Sequence, residues 1–368
     1  MTKLKCQLLV GGIVLGTRVM AFGQTSTVQL SGQIGSGVTW QNNQAGGGSA
    51  FSMTDNLIAA SFMRISGAED LGGGRQVLFR LESALNVSNG NAGGKAAGGT
   101  SFWNRQSYVG LASDALGRLT LGRQFTAATD TAIRTLDVFQ FNGSSAVVVP
   151  MALFGVDRFA SNDTRQNNTV KYSYGVPGIV DAGASYSFDD GVSGRNYSAG
   201  IAHTAGNYAL AAMYTRYFDA VGTTPTGGVP EHSLWGLGGY YVFGPVKAYA
   251  SWFQSALDAT IAHRVGQRDN IFDLGLAWQI GNRANLRIAY YNDRGRDLDG
   301  VVRRDGTKQT VVIATEYTLS TRTSIYATVF QNRFSGGYKL ETVNLAALNR
   351  SAGSSVSTGA SVGVRHVF

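Results

Sequence analysis

Runs of strict apolar–polar alternation recur along the chain, with the two-residue period of β-strands. In the first, Val28, Leu30, Ile34, Val38 and Trp40 share one face, and Gln29, Ser31, Gln33 and Thr39 share the other. Further on, Phe272, Leu274, Leu276, Trp278 and Ile280 alternate with Asp273, Gly275, Ala277 and Gln279. The last run sets Thr358, Ala360, Val362, Val364, His366 and Phe368 against Ser357, Gly359, Ser361, Gly363 and Arg365. Such alternation fits a strand between lipid and a wet interior, and a soluble sandwich would give it too.

Number and spacing separate the two. Sixteen segments are predicted, at about 27–40, 57–70, 75–86, 103–111, 117–125, 166–174, 179–188, 195–204, 207–217, 232–243, 246–256, 268–280, 283–293, 307–319, 322–333 and 355–368. Their connections are long and short by turns. Gln41–Asn56, Val87–Phe102, Thr126–Arg165, Phe218–Glu231, Leu257–Gln267, Arg294–Gly306 and Phe334–Ser354 are long, and Asp189–Gly194 is the shortest of that set. Leu71–Gly74, Ala112–Leu116, Gly175–Gly178, Ala205-Gly206, Gly244-Pro245, Gly281-Asn282 and Ser320-Thr321 are tight. A sandwich has no reason to gather its long loops at one end. The predicted fold is therefore all-β, a sixteen-stranded antiparallel transmembrane β-barrel with short periplasmic turns and long outer loops. Sixteen strands leave an aqueous channel, where eight would be filled by side chains.

One connection departs from the rest. Thr126–Arg165 runs for about forty residues without alternation, a length that is normally functional or disordered. It mixes Asp130, Asp137, Asp157 and Asp163 with Arg134, Arg158 and Arg165, and contains the apolar run Val147–Leu153. A loop folded into the lumen as a charged constriction fits this mixture; an ordinary surface loop is the plain alternative. The apolar run would pack it against the wall or against a neighbouring subunit.

Composition supports the barrel. The chain has 49 Gly and 5 Pro, 11% aromatic and only 15% charged residues, against a usual ~25% charged. Glycine without a three-residue period excludes collagen, and the apolar content excludes disorder. The N-terminus reads as a leader: Lys3 and Lys5, the short apolar stretch Leu8–Gly16, then Ala21-Phe22-Gly23, with cleavage expected before Gln24. The domain reading is thus a leader over 1–23 and a barrel over 24–368. The single cysteine, Cys6, falls in the leader, so the mature chain has no disulfide and draws its stability from the barrel's hydrogen-bond ladder. Losing Lys3, Lys5 and Arg18 takes the net charge from +8 to +5, spread without basic runs, which argues against a nucleic-acid partner.

Several short motifs occur in order: Glu69-Asp70-Leu71-Gly72-Gly73-Gly74, Arg105 through Val109-Gly110-Leu111, Leu121-Gly122-Arg123-Gln124, and Asn168 through Tyr172. Leu319-Ser320-Thr321-Arg322-Thr323 and the ending Val362 through Phe368 complete the series. In this order the whole chain resembles the general Gram-negative porins, trimeric sixteen-stranded diffusion channels, and most closely their betaproteobacterial branch. The resemblance implies an outer-membrane homotrimer set in lipid and lipopolysaccharide. It implies that small hydrophilic solutes and ions pass, and that the barrel-assembly machinery reads Phe368. It also implies that Thr126–Arg165 narrows the pore against an arginine cluster. Arg105 matches one wall arginine and Arg165 another. A third is expected from the second strand, where this chain has Phe62; Arg64, two residues on and on the same face, is the candidate replacement, and Arg80 a further one. Asp130 and Asp137 are the candidate loop acids. Parity points Arg64, Arg80, Glu82 and Lys171 inward, and Arg123 only if a bulge intervenes.

Other chemistries find little support. His203, His232, His263 and His366 show no ligand spacing, and no cofactor is implied. Asp297, Asp299 and Asp305 would suit Ca²⁺ or simply a solvated loop. Gly93-Gly94 and Gly98-Gly99 lack the strand-to-helix setting of a phosphate loop. The expected activity is passive and weakly anion-preferring; the alternatives are a substrate-specific channel or an outer-membrane barrel enzyme or adhesin. Small residues on the early strands, among them Gly32, Gly67 and Ser61, would allow close approach of subunits.

Overall fold

A computed structural model describes residues 26–55, 57, 59–92, 101–141, 164–191, 194–219 and 222–368. The leader, the run Val147–Leu153 and the paired glycines of the second long connection lie outside the described residues. The strands are β1 Ser26–Asn42, β2 Ser49–Asp55, β3 Phe62–Gly72, β4 Arg75–Ala84, β5 Gln106–Ser113 and β6 Gly117–Phe125. Next come β7 Arg165–Val176, β8 Val180–Ser187, β9 Asn196–Ala205, β10 Tyr208–Phe218, β11 Glu231–Phe243 and β12 Val246–Leu257. The series ends with β13 Gln267–Ile280, β14 Ala284–Arg296, β15 Gly306–Thr318, β16 Thr323–Gly336 and β17 Val356–Val367.

These strands form one antiparallel sheet that closes on itself, because β1 pairs with β17 through Gln33↔Val367 to Gln41↔Gly359. The lower half of β1 pairs with β3 and the upper half with β2, so β2 and β3 are two halves of one stave. Seventeen strands thus make the sixteen staves of the predicted barrel. Closure removes the sheet's edges except along β2, which pairs with β1 alone among the described residues; lipid requires such pairing of backbone N–H and C=O groups. No helix among the described residues is long and apolar enough to cross a membrane.

The predicted second segment, 57–70, needs correction. Its stave begins earlier, at Ser49, and breaks between Asp55 and Phe62. The break tucks Leu57 into the barrel interior, and the backbone of Gly35 is satisfied there by the Ser61 hydroxyl, which accepts its N–H at 3.0 Å. Ser61 is therefore a plug in the wall. The outer faces of Gly32 and Gly67 are likewise covered, by the Phe368 and Phe79 rings.

Parity holds in the first and last strands. Val28, Leu30 and Val362 are exposed on the outer surface, while Thr39, Ser357 and Ser361 are buried inside. At the tight turns Gly206 and Gly244 adopt φ of 57° and 58°, a left-handed backbone that a side chain would strain.

Candidate functional site: the lumen constriction

The connection after β6 enters the barrel. Thr126 caps a short helix, α1 Ala127–Thr131, which continues as a wider π-type turn over Ala132–Leu136. A helix start leaves N–H groups without partners, and here the wall supplies them. Ser185 Oγ on β8 accepts from Ala127 N–H at 3.1 Å, and Ser198 Oγ on β9 accepts from Ala128 N–H at 2.8 Å. Farther along, Ser251 on β12 donates to the Leu136 carbonyl at 2.6 Å. Inward glycines make the bed: a Cβ on Gly200 would collide with Thr131, and one on Gly275 would lie 2.8 Å from Val138. Leu136, Val138 and Phe139 are buried against Phe253, Ile271, Tyr291 and Phe330. Burial of one such side chain stabilises by about 1.5–3 kcal/mol, enough to hold the loop against β8–β14.

Asp137 corrects the expectation that it faces the eyelet. It is 0% exposed. The Tyr291 hydroxyl donates to its Oδ1 at 2.6 Å, and Phe141 N–H donates to Oδ2 at 2.7 Å. Burial pushes the Asp137 carboxyl above the usual carboxylate range, in spite of these hydrogen bonds. This acid anchors the loop.

The open part of the lumen lies on the other side of the loop, as a cavity of about 830 Å³ against β3–β8. Arg64, Arg80, Arg105, Asp130 and Lys171 all line it, together with Phe62, Glu82, Arg118, Arg134 and Asp181. Glu82 is 1% exposed and holds two guanidinium groups, Arg64 at 2.8 Å and Arg105 at 2.6 Å. Both also lie over the Phe62 ring, at 4.7 and 5.2 Å from its centre. Lys171 pairs with Asp130 at 2.7 Å, and Arg134 with Asp181 at 2.9 Å. Arg80 lies 5.8 Å from the centre of the Tyr108 ring and forms no ion pair with any described residue. Arg165 stacks 4.2 Å from the centre of Phe125, itself a lining residue. Phe62 therefore serves as a platform under the two arginines.

Two features escaped the sequence. Glu82 was legible as inward but not as the shared partner of two arginines, although Arg64↔Glu82 is a direct cross-strand pair. Arg134 and Asp181 are 47 positions apart and meet only because the loop lies across β8. The bulge that Arg123 required does occur, between Gly122 and Gln124, yet the side chain binds the Asn104 carbonyl and Asn167. Elsewhere, the outer-loop acids are occupied by protein donors: Asp297 by Arg303 N–H, Asp299 by Arg304 and Thr342, Asp305 by Asp297 N–H. No group of His, Cys, Asp and Glu able to hold a metal occurs among the described residues.

A closed barrel with one loop folded onto its inner wall and a charged passage beside it can be compared with known proteins. The sequence model of the Gram-negative porins matches residues 16–337. The chain belongs to the Gram-negative porin family. The porin is similar to outer membrane porin protein 32 of Delftia acidovorans, 25% identical with 98% of this chain and 99% of that one covered. It is also similar to the major outer membrane protein P.IB of Neisseria meningitidis serogroup A, 26% identical over 97% and 98% of the two chains. Among solved structures, the anion-selective porin from Comamonas acidovorans superposes with a TM-score of 0.78 at 22% identity, covering 94% of this chain and all of that one. The porin is an outer-membrane channel through which small hydrophilic solutes and ions diffuse.

Proposed function

We infer that the constriction favours anions over cations, weakly to moderately, and that Arg64, Arg80 and Arg105 set the sign. The lining of the passage carries this reading: six cationic side chains against four acids. Three of those acids, Glu82, Asp130 and Asp181, already neutralise a cation each or more. Charges in a narrow passage with low-dielectric walls count for more than equal charges on the rim, and rings of Arg or Lys favour anions. The Comamonas acidovorans porin is described as anion-selective, and the same sign is proposed here. Arg165 adds a stacked cation at the edge, and Asp137 holds the loop in place. Replacing Arg64 and Arg105 together with Gln should move the reversal potential in a KCl gradient toward cations, while Lys339→Gln should leave it unchanged. Wild-type selectivity in the double variant would sink the assignment.

The porin works as a homotrimer set in outer-membrane lipid and lipopolysaccharide, without enzymatic activity or a cofactor. Residues 1–23 are removed as a leader. The barrel-assembly machinery reads Phe368, whose backbone pairs both ways with Gly32 at 2.9 and 3.0 Å. A trimer band in unheated gels and a mature chain starting at Gln24 would be the corresponding observations.

A further inference from the structure

The last long connection, between β16 and β17, folds back over the outer mouth of the barrel. A single turn at Gly337–Lys339 leads to a short helix, α2 Thr342–Ala347, capped by Glu341. Glu341 Oε2 accepts the Asn344 backbone N–H and the Asn344 side-chain amide, both at 2.7 Å. Tyr338, Val343 and Leu348 are buried with Leu257, Leu298 and Phe334, an apolar cluster separate from the one that holds the constriction loop. The connection also reaches the far side of the closure. Ala45 N–H donates to the Asn349 carbonyl at 2.8 Å, and Ser351 N–H donates to the Asn43 carbonyl at 2.9 Å. Residues 337–351 therefore bridge the mouth from β13–β15 to the end of β1.

Beneath this bridge the charges do not balance. Asp269, Asp293 and Lys308 share the inward faces of Ile271, Tyr291 and Val312, and they are buried together with Glu341. Lys308 faces Asp293 directly across β14 and β15, and its Nζ donates to Asn344 Oδ1 at 2.8 Å. The Tyr338 hydroxyl donates to Asp269 Oδ1 at 2.8 Å and the Gln267 amide to Oδ2 at 3.0 Å. Asp293 Oδ1 has no hydrogen-bond partner among the described residues. Arg350, buried beside them, gives its N–H groups to the Tyr338 and Ser354 carbonyls and stacks 3.9 Å from the centre of Phe334. Asp299, on the neighbouring connection, is paired with Arg304 at 2.9 Å. Three buried acids thus meet two buried cations. Ionising all three would leave an uncompensated charge away from water, which costs far more than a neutral carboxyl. Burial holds the Glu341 carboxyl above its ordinary range in spite of the Asn344 hydrogen bonds; Asp299 adds to the rise and Lys308 opposes it.

We propose that residues 337–351 are a lid on the outer mouth, latched by protons on the buried carboxyls of Asp293 and Glu341, and that the lid unlatches as pH rises. Closed, it holds protons that the open lid, with its carboxyls in water, gives up. Closure is fully favoured below the ordinary carboxylate value and weakens as pH rises through the raised one. Opening would bare the inward faces of Asp269, Asp293 and Lys308 and widen the entrance above β13–β15. The lid shares no residue with the charged passage, so its opening can be followed whatever the sign of selectivity.

The test is maleimide labelling of the purified porin in detergent. Cys6→Ser removes the only native thiol. A new one is placed under the lid by Val343→Cys or on its outside by Leu340→Cys, positions that are 7% and 51% exposed. The ratio of the two labelling rates cancels the pH dependence of the thiol chemistry itself. That ratio should rise between about pH 5 and about pH 8, by up to about tenfold per pH unit for each proton released. Asp293→Asn combined with Glu341→Gln should leave the ratio low and flat. Each substitution alone should make the rise shallower, a result available even if the double variant folds poorly. A wild-type ratio that ignores pH, or a rise of wild-type steepness in the substituted variants, overturns the proposal. A high ratio at every pH would mean that the lid does not hold, and overturns it too.

Discussion

The lumen has two unlike arcs. From β3 to β8 the inward positions carry Arg64, Arg80, Glu82, Arg105 and Lys171 around open space. From β9 to β16 the inward positions include Gly200, Ala211, Phe253, Ala289, Val312 and Phe330, with Asp273 and Lys308 buried on the same faces, and the loop fills space beside them. Both arcs obey the same two-residue period. The period tells which residues face inward; their size and polarity tell whether water or the loop will meet them. A large barrel can thus keep a narrow passage by packing part of its lumen like a domain core.

The largest expected effect comes from unseating the loop. Gly275→Val would place its first carbon 2.8 Å from Val138, and Phe139→Ala would remove a fully buried ring, a change that costs about 3–5 kcal/mol. Either variant should raise single-channel conductance and blur selectivity, since the charged wall would lose its opposing face. Conductance at the wild-type level would show that the packed arc does not set the pore size.

A smaller effect, confined to the charged arc, should follow from Glu82→Gln. Its carboxylate holds Arg64 and Arg105, so removing the charge should shift the KCl reversal potential toward anions, opposite to the double arginine variant. A shift toward cations would mean that the two arginines leave the passage once released.

The smallest effect is a pH dependence that joins the arcs. Burial raises the Asp137 carboxyl above its ordinary range, so the docked loop binds a proton more readily than the released loop. Docking is then fully favoured below the ordinary carboxylate value and weakens as pH rises through the raised one. Current noise from loop motion should therefore grow on alkalinisation, and Asp137→Asn should flatten the trend. An unchanged trend in that variant would place the titrating group elsewhere.

Much of this is legible in the residues. Alternation locates fifteen staves and the lower half of the other, and parity turns Arg64, Arg80 and Lys171 inward. The upper half of the broken stave escapes it because Phe51 and Met53, which do alternate outward, are cut off from Phe62 by the inward turn at Leu57. Asp137 was unreadable for another reason. Its partner Tyr291 is 154 positions away, and a loop acid looks the same in sequence whether it meets water or a tyrosine. Neighbouring strands are predictable from hairpin order, but a loop crossing to distant staves has no local signature.

The junction of β1 with β17 also bears on how the molecule comes into being. It brings Gln33 and Arg365 together across 332 positions, so the ring cannot shut until the last hairpin is in place. Until then β1 and the growing end each present an unpaired row of amides and carbonyls, a template for any other extended chain. Loop-closure entropy grows only slowly with length, so the hazard is one of waiting time more than of energy. A chain halted before β17 is therefore expected to aggregate rather than persist as a smaller barrel, because the strand that would protect β1 is the last to arrive.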